Sequence, residues 1–440
     1  MQSFVTCVIL HHATTFGTTE RQRSVARADS ARQRILGWLA TGTIQGARAA
    51  PTAEAALADG LVPGGSGRTG SSRLRQGGAG LARPAGVVLT GPGAVAWASG
   101  GVAPPVDRTA SVDLVWAVIS PAGSWLITTS VEADRIRTEY DPGIHGFDAL
   151  AEVPWYQPDD FVAAAQALAD APAAMLASDG HPAFGVDACE DMIALRLALS
   201  PAEAEDLAEL GADAAHALQA GLAQWRPGER DLDIQARCAA YLEAAGADAP
   251  VLIVGGDDRL ERYRHPMAVG APVSRLAMAV VVARRAGLHV AATRFAASAP
   301  VGTGYAALRR KVLAIEDAVL SACKPGTTYG TVLDTLDTAY DAVSSKSGWT
   351  GHYQGGPIGF AQREFEIAPG QTGSRWYGQP IAAGHAIAWN PSLPGGAKSE
   401  DTYLVTADGK LDRVTAAPGW PTETHDGRQP PRPAVLEVCT

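Results

Sequence analysis

Cysteine is scarce in this chain and never paired. Cys7, Cys189, Cys238, Cys323 and Cys439 lie far apart, with no C-x-x-C spacing. This argues against a zinc knuckle or a disulfide framework and fits a reducing, cytoplasmic setting. Long apolar runs are also missing. No stretch reaches the roughly 18 uncharged apolar residues of a membrane helix. The apolar residues 4–10 have no basic residue before them, so they do not read as a secretory signal. Lysine is rare beside arginine, and the net charge of −10 gives no reason to expect nucleic-acid binding. No membrane partner is expected either. What is present is 46% hydrophobic residues in 440, enough for two soluble domains of ordinary size.

Residues 1–83 hold ten arginines and no lysine, and Gly, Ser and Arg dominate 64–80. Such a stretch buries too little apolar surface to offset its ordering entropy, so a poorly ordered or mis-started extension is expected. Residues 84–193 alternate strand and helix signals. Strands are predicted at 87–90, 114–120 and 123–129, a turn at Gly91-Pro92-Gly93 and a helix over 161–176. This is the pattern of a small α/β domain.

A different pattern fills 194–415, before a tail at 416–440. Ser200-Pro201-Ala202-Glu203 is a capping box opening a long helix to about residue 222. A helix over 231–245 and a strand at 251–256 follow. The design then repeats: a helix over 305–323 closed by Lys324-Pro325-Gly326, a helix over 331–344, and strand-like closing segments. Two helix–PG–helix–strand modules imply an internal pseudo-twofold repeat. The run Gly355–Gly359 lacks the Lys-Ser/Thr ending of a phosphate loop. No G-x-S-x-G occurs for a serine hydrolase.

On these segments the chain resembles the pita-bread family of creatinase, aminopeptidase P and methionine aminopeptidase. WRPGERDLDI and CKPGTTYGTV resemble its paired helix units, HVAATRF its H-A-D-I-T-R-T strand, HYQGGPIGF its glycine-rich segment, and AIAWNPSLPGGAKSEDTYLV its closing strands. The resemblance implies a creatinase-like α/β amino-terminal domain followed by an α+β pita-bread domain. It also implies five metal ligands, two Asp, one His and two Glu. Here the first Asp falls within 280–283, the second on Ala291, the His on Gly356 and the first Glu on Asn390; only Glu400 matches. One carboxylate cannot hold a dinuclear cluster, so no metal or other cofactor is expected.

Creatinase, a metal-free member, hydrolyses a guanidino C–N bond with a histidine, carboxylates and arginines. By that resemblance His265, His352 and Glu400 are the expected catalytic residues. An imidazole suits proton transfer near neutral pH. Arg294, Arg363, Asn390, Trp389, Arg284 and Arg108 are candidate substrate contacts, since a guanidinium fills space once held by a cation and binds a carboxylate bidentately. Each has a structural alternative: an ion pair for Arg294, a solvated strand end for Arg284, a turn cap for Asn390. The expected activity is metal-independent hydrolysis of a C–N bond in a small amino-acid or guanidino-type substrate, by a homodimer. A peptide- or protein-binding pseudoenzyme, an Xaa-Pro-type aminopeptidase and a lyase are the alternatives.

Overall fold

The structure, a computed structural model, describes residues 16–42, 83–101, 106–344, 346–425 and 431–438. In the first domain, strands β1 (Gly86–Leu89), β2 (Val115–Ser120), β3 (Gly123–Thr129), β4 (Ala149–Val153), β5 (Leu176–Ser178) and β6 (Val186–Asp187) form one sheet. Its order is β4-β3-β2-β1-β5-β6, antiparallel between β1, β2 and β3 and parallel elsewhere. The turn expected at Gly91-Pro92-Gly93 starts a helix, α2 (Pro92–Ser99), with Pro at a position that needs no N–H. Asp179 holds that start by accepting from the Thr90 and Gly91 amides. Helix α3 (Asp160–Ala169) is shorter than expected. It stops at Asp170, which is left-handed, just before Pro172, and 176–178 become strand instead.

The second domain follows the repeat. The capping box is formed: Ser200 accepts from the Glu203 amide and Glu203 accepts from the Ser200 amide. It opens α5 (Pro201–Leu222), after the linking helix α4 (Cys189–Arg196). With α6 (Asp231–Ala244), α5 covers β7 (Asp248–Gly256), β8 (Leu276–Arg285) and β9 (Leu288–Ala297). In the second half, α7 (Thr303–Ala322) and α8 (Tyr329–Val343) back β10 (Gly355–Ile358), β11 (Ala386–Trp389), β12 (Asp401–Val405) and β13 (Leu411–Arg413). Each half has its own core. Leu207, Leu218 and Val281 belong to the first, Val319, Leu336 and Ile387 to the second. Strand β9 joins the two sheets. His289 N donates to Gly359 O at 2.7 Å, and Thr293 N donates to Glu400 O at 2.9 Å.

Both chain ends differ from expectation. Of the stretch expected to be a poorly ordered extension, residues 16–41 form a 26-residue helix, α1 (Phe16–Thr41); residues 43–82 lie outside the described residues. Ala28, Ala31, Ile35, Trp38 and Leu39 recur at helical spacing and are buried, the last four in the first core. Its arginines are structural. Arg23 and Arg27 pair with Asp206 on α5, and Arg34 donates to the Leu195 and Ala198 carbonyls. The carboxyl-terminal tail is a brace. Strand β14 (Leu436–Glu437) pairs in parallel with the end of β9, and Arg432 is buried between Glu316 and Asp317 of α7.

Candidate active site

The site forms where the KSED segment meets β9 and the glycine-rich loop. In an extended chain alternate side chains share a face, and residues 398–401 divide in this way. Ser399 and Asp401 face backward, toward Glu316 and Arg294 respectively. Lys398 and Glu400 face forward together, with Nζ 3.2 Å from Oε2 and both side chains about 95% buried. Thr293 Oγ1 donates to the same Glu400 oxygen at 2.7 Å, and Asn390 Nδ2 donates to Oε1 at 3.2 Å. Burial raises the Glu400 pKa, but the Lys398 charge, the Thr293 and Lys398 hydrogen bonds and the Arg363 charge outweigh it. The carboxyl ends below its ordinary value.

Arg363 approaches this carboxylate from the loop after β10. Glu364 fixes that loop: it accepts from the Phe360 amide and pairs with the buried Arg196. Gly356 has φ of +146°, and a Cβ there would stand 3.6 Å from Arg363 Cδ. That is ordinary contact, so a side chain longer than one carbon would compete with the arginine stem for this space. Arg363 donates to Ala388 O at 3.2 Å and lies 3.6 Å from the exposed Glu366. Burial lowers its pKa, against the Glu366 and Glu400 charges.

His265 and His352 meet at the mouth, with Nε2 atoms 3.2 Å apart. Asp231 shapes the His265 loop by accepting from the Val269 and Gly270 amides. Gln354 anchors His352 by donating to its carbonyl, while Tyr340 donates to Gln354. Both imidazoles titrate low. Burial and the Lys398 charge lower His265, and burial, Lys398 and His265 push His352 down to about 3. Two neutral rings in contact share one N–H between their Nε2 atoms, which leaves Nδ1 of the donating ring as the nitrogen free to accept a proton.

His265, His352, Glu400, Arg363 and Asn390 are thus brought together. The other expected contacts are not. Trp389 is 2% exposed and packs in the second core, because its side chain alternates away from the pocket. Arg294 is 2% exposed and spends its donors on Asp401 and the Thr293 and Thr415 carbonyls. Arg284 pairs with Asp248, and Arg108 with Glu243; both line another cleft, between α2 and the β8–β9 turn. Arg284 is four strand positions beyond Val280, the register partner of Thr293, or about 13 Å away. Asn390 holds Glu400 rather than capping a turn, and Glu400 has both oxygens engaged, so it is not a spare base. Thr293, Gln354 and Tyr340 went unread because threonine, glutamine and tyrosine at those positions carry no spacing signal of their own.

A model of metallopeptidase family M24 matches residues 205–407. The second domain of this chain thus matches family M24. Among solved structures, its fold is similar to prolidase from Pyrococcus furiosus (17% identity, TM-score 0.60, covering 76% of this chain and 96% of that one). It is also similar to dipeptidase PepE from Mycobacterium ulcerans (21% identity, TM-score 0.60, 81% and 93% covered). A third similar fold is the N-terminal domain of the FACT complex subunit SPT16 from Cicer arietinum (11% identity, TM-score 0.55, 76% and 91% covered). No curated protein matches the chain in sequence. These likenesses establish the pita-bread fold of the M24 domain with its amino-terminal partner domain.

The metal that the family name implies does not fit the residues of this M24 domain. Val280, Val281, Val282 and Ala283 offer no donor, Ala291 packs in the core, and Gly356 has no side chain to ligate with. Asn390 turns its amide N–H toward Glu400. An ammonium stands at the remaining carboxylate, and the Arg363 charge also acts on it. Among the described residues no three His, Cys, Asp or Glu side chains are placed to share an ion.

Proposed function

We propose that the M24 domain is a hydrolase working without a dinuclear metal centre, cleaving a C–N bond in a small amino-acid or guanidino-type substrate. The observation that carries this reading is the 3.2 Å contact between His265 and His352 beside the Lys398–Glu400–Arg363 cluster. His265, the more exposed ring, takes a proton from water as the oxygen attacks the substrate carbon. The carbon–nitrogen bond then breaks, and the same proton passes to the leaving nitrogen. His352 orients His265 and shares its N–H. Positioned proton transfer of this kind contributes roughly 10²–10⁴ in rate.

His265→Gln is expected to lower turnover by about that factor while the protein stays folded. Chelators are expected to leave wild-type turnover intact. A screen of dipeptides, guanidino acids and N-acyl amino acids with the purified protein supplies the substrate. Unchanged turnover in His265→Gln, or loss of turnover in chelator restored by manganese, contradicts the reading. A homodimer belongs to the same proposal, and light scattering in solution checks it. So does a cytoplasmic location, which the free thiols of Cys189, Cys238 and Cys323 fit.

A second reading, a binding module, draws on one observation. Tyr263, Met267, Val269 and Tyr353, which flank the two histidines in the chain, are 53–71% exposed. Absence of turnover across the screen, with saturable binding of a peptide at this face, favours it.

A further inference from the structure

Lys398 is a long side chain about 95% buried, and among the described residues its one acceptor is Glu400. An ammonium has three N–H donors, so two are left inside a desolvated pocket. Arg363 differs in being 21% exposed: one donor meets Ala388 O, the exposed Glu366 pairs with it at 3.6 Å, and its remaining donors reach solvent at the edge of the cluster. Buried donors without acceptors cost free energy unless a ligand supplies them. The charges agree. Lys398 and Arg363 give two positive charges to the floor and Glu400 one negative. Asp401 and Glu316, the other buried carboxylates nearby, are committed to Arg294 and Arg432 on the far side of the segment. With Glu366 balancing Arg363 from the exposed side, the floor is left with spare N–H groups on the buried Lys398.

We propose that Lys398 is the electrophile of this site, donating to the negatively charged oxygen that forms on the substrate carbon when water adds. This rests on the hydrolase reading above and extends it. The ammonium takes the position, against the last family carboxylate, from which a divalent ion would polarise a carbonyl. Glu400 is its holder: with oxygens fixed by Thr293 and Asn390, it keeps the long side chain in one geometry. Because the oxygen bears full negative charge only after attack, the donated hydrogen bond strengthens in the transition state. The ligand class that follows is a small tetrahedral or planar oxyanion, for which inorganic phosphate is a direct probe.

The test is isothermal titration of the full chain with inorganic phosphate at constant ionic strength, on wild type, Lys398→Met, the double variant Lys398→Met/Glu400→Gln and Lys410→Met. The double variant removes both members of the pair and keeps the test valid if Lys398→Met fails to fold. Lys410 is a surface lysine, 78% exposed and paired with Asp408. Wild type and Lys410→Met are expected to bind one phosphate per chain, and the variants lacking Lys398 to bind it at least tenfold more weakly. Once a substrate is known, the double variant is expected to lose kcat with little change in KM. Equal phosphate affinity with and without Lys398, or no saturable binding by wild type, overturns the proposal. Because the titration needs no turnover, it tests the anion site at Lys398 separately from the hydrolase reading, whose failure would remove the electrophile role and leave anion binding.

Discussion

The KSED segment separates two buried charge clusters built from the same materials and put to opposite uses. Behind it, Arg432 is held by both Glu316 and Asp317, and His425 also bonds Asp317, so cations and carboxylates close on one another. In front, Lys398 pairs with one saturated carboxylate and keeps donors unspent, with the Arg363 charge acting on that carboxylate from a greater distance. The rear cluster braces the carboxyl-terminal segment against α7. The front cluster has the surplus that a ligand would fill. A charged pair in the interior therefore reveals its role through the balance of donors and acceptors rather than through its burial.

Breaking the rear cluster is expected to give the largest effect on stability. Arg432→Met leaves two carboxylates buried without their cation, a loss of about 3–5 kcal/mol, measured by urea unfolding. Removing all three charges in Arg432→Met/Glu316→Gln/Asp317→Asn is expected to recover most of it. The paired substitutions Glu400→Gln and Glu316→Gln sharpen the comparison. At pH 8, Glu400→Gln strands the Lys398 ammonium and is expected to cost about 1–3 kcal/mol. Glu316→Gln is expected to cost less than Glu400→Gln, because burial raises the Glu316 pKa and offsets part of what its charge gains from Arg432.

The pH dependence of these two substitutions has opposite signs. The Glu400 pKa is depressed in the folded state, so its contribution is present above the ordinary value of 4.5 and fades as pH falls through the folded value. The penalty of Glu400→Gln is therefore expected to shrink below about pH 4.5. The Glu316 pKa is raised, so its contribution is full below 4.5 and is lost as pH rises through the folded value. A smaller effect is expected at Asp113, buried in the first domain with its pKa pushed up to about 6 by desolvation. Asp113→Asn is expected to raise the melting temperature by a few degrees at pH 8 and to leave it unchanged at pH 4. Thermal melts at the two pH values check it.

Much of this architecture was legible because periodicity and caps are local. The capping box at Ser200 and Glu203, the PG helix ends and the strand pair before and after Pro121-Ala122 form where the residues place them. Helix α1 was not legible. Its five apolar contacts lie among arginines that look like a solvated tail until α5 supplies the carboxylates. The site was half legible for a related reason. His265, His352, Arg363 and Glu400 sit at positions the family pattern marks, whereas Arg294, Arg284 and Arg108 have the same side chain but found carboxylates elsewhere in the fold. A guanidinium's partner is a tertiary fact. Lys398 went unranked in the sequence because its meaning depends on which face of one strand it shares with Glu400.

The central claim is that resident cations stand where this family's name implies metal. Elemental analysis of protein expressed and purified with added manganese, cobalt and zinc tests it most directly. The account predicts well under one metal ion per chain, unchanged by the additions. About two ions per chain, lost on Glu400→Gln, would contradict it.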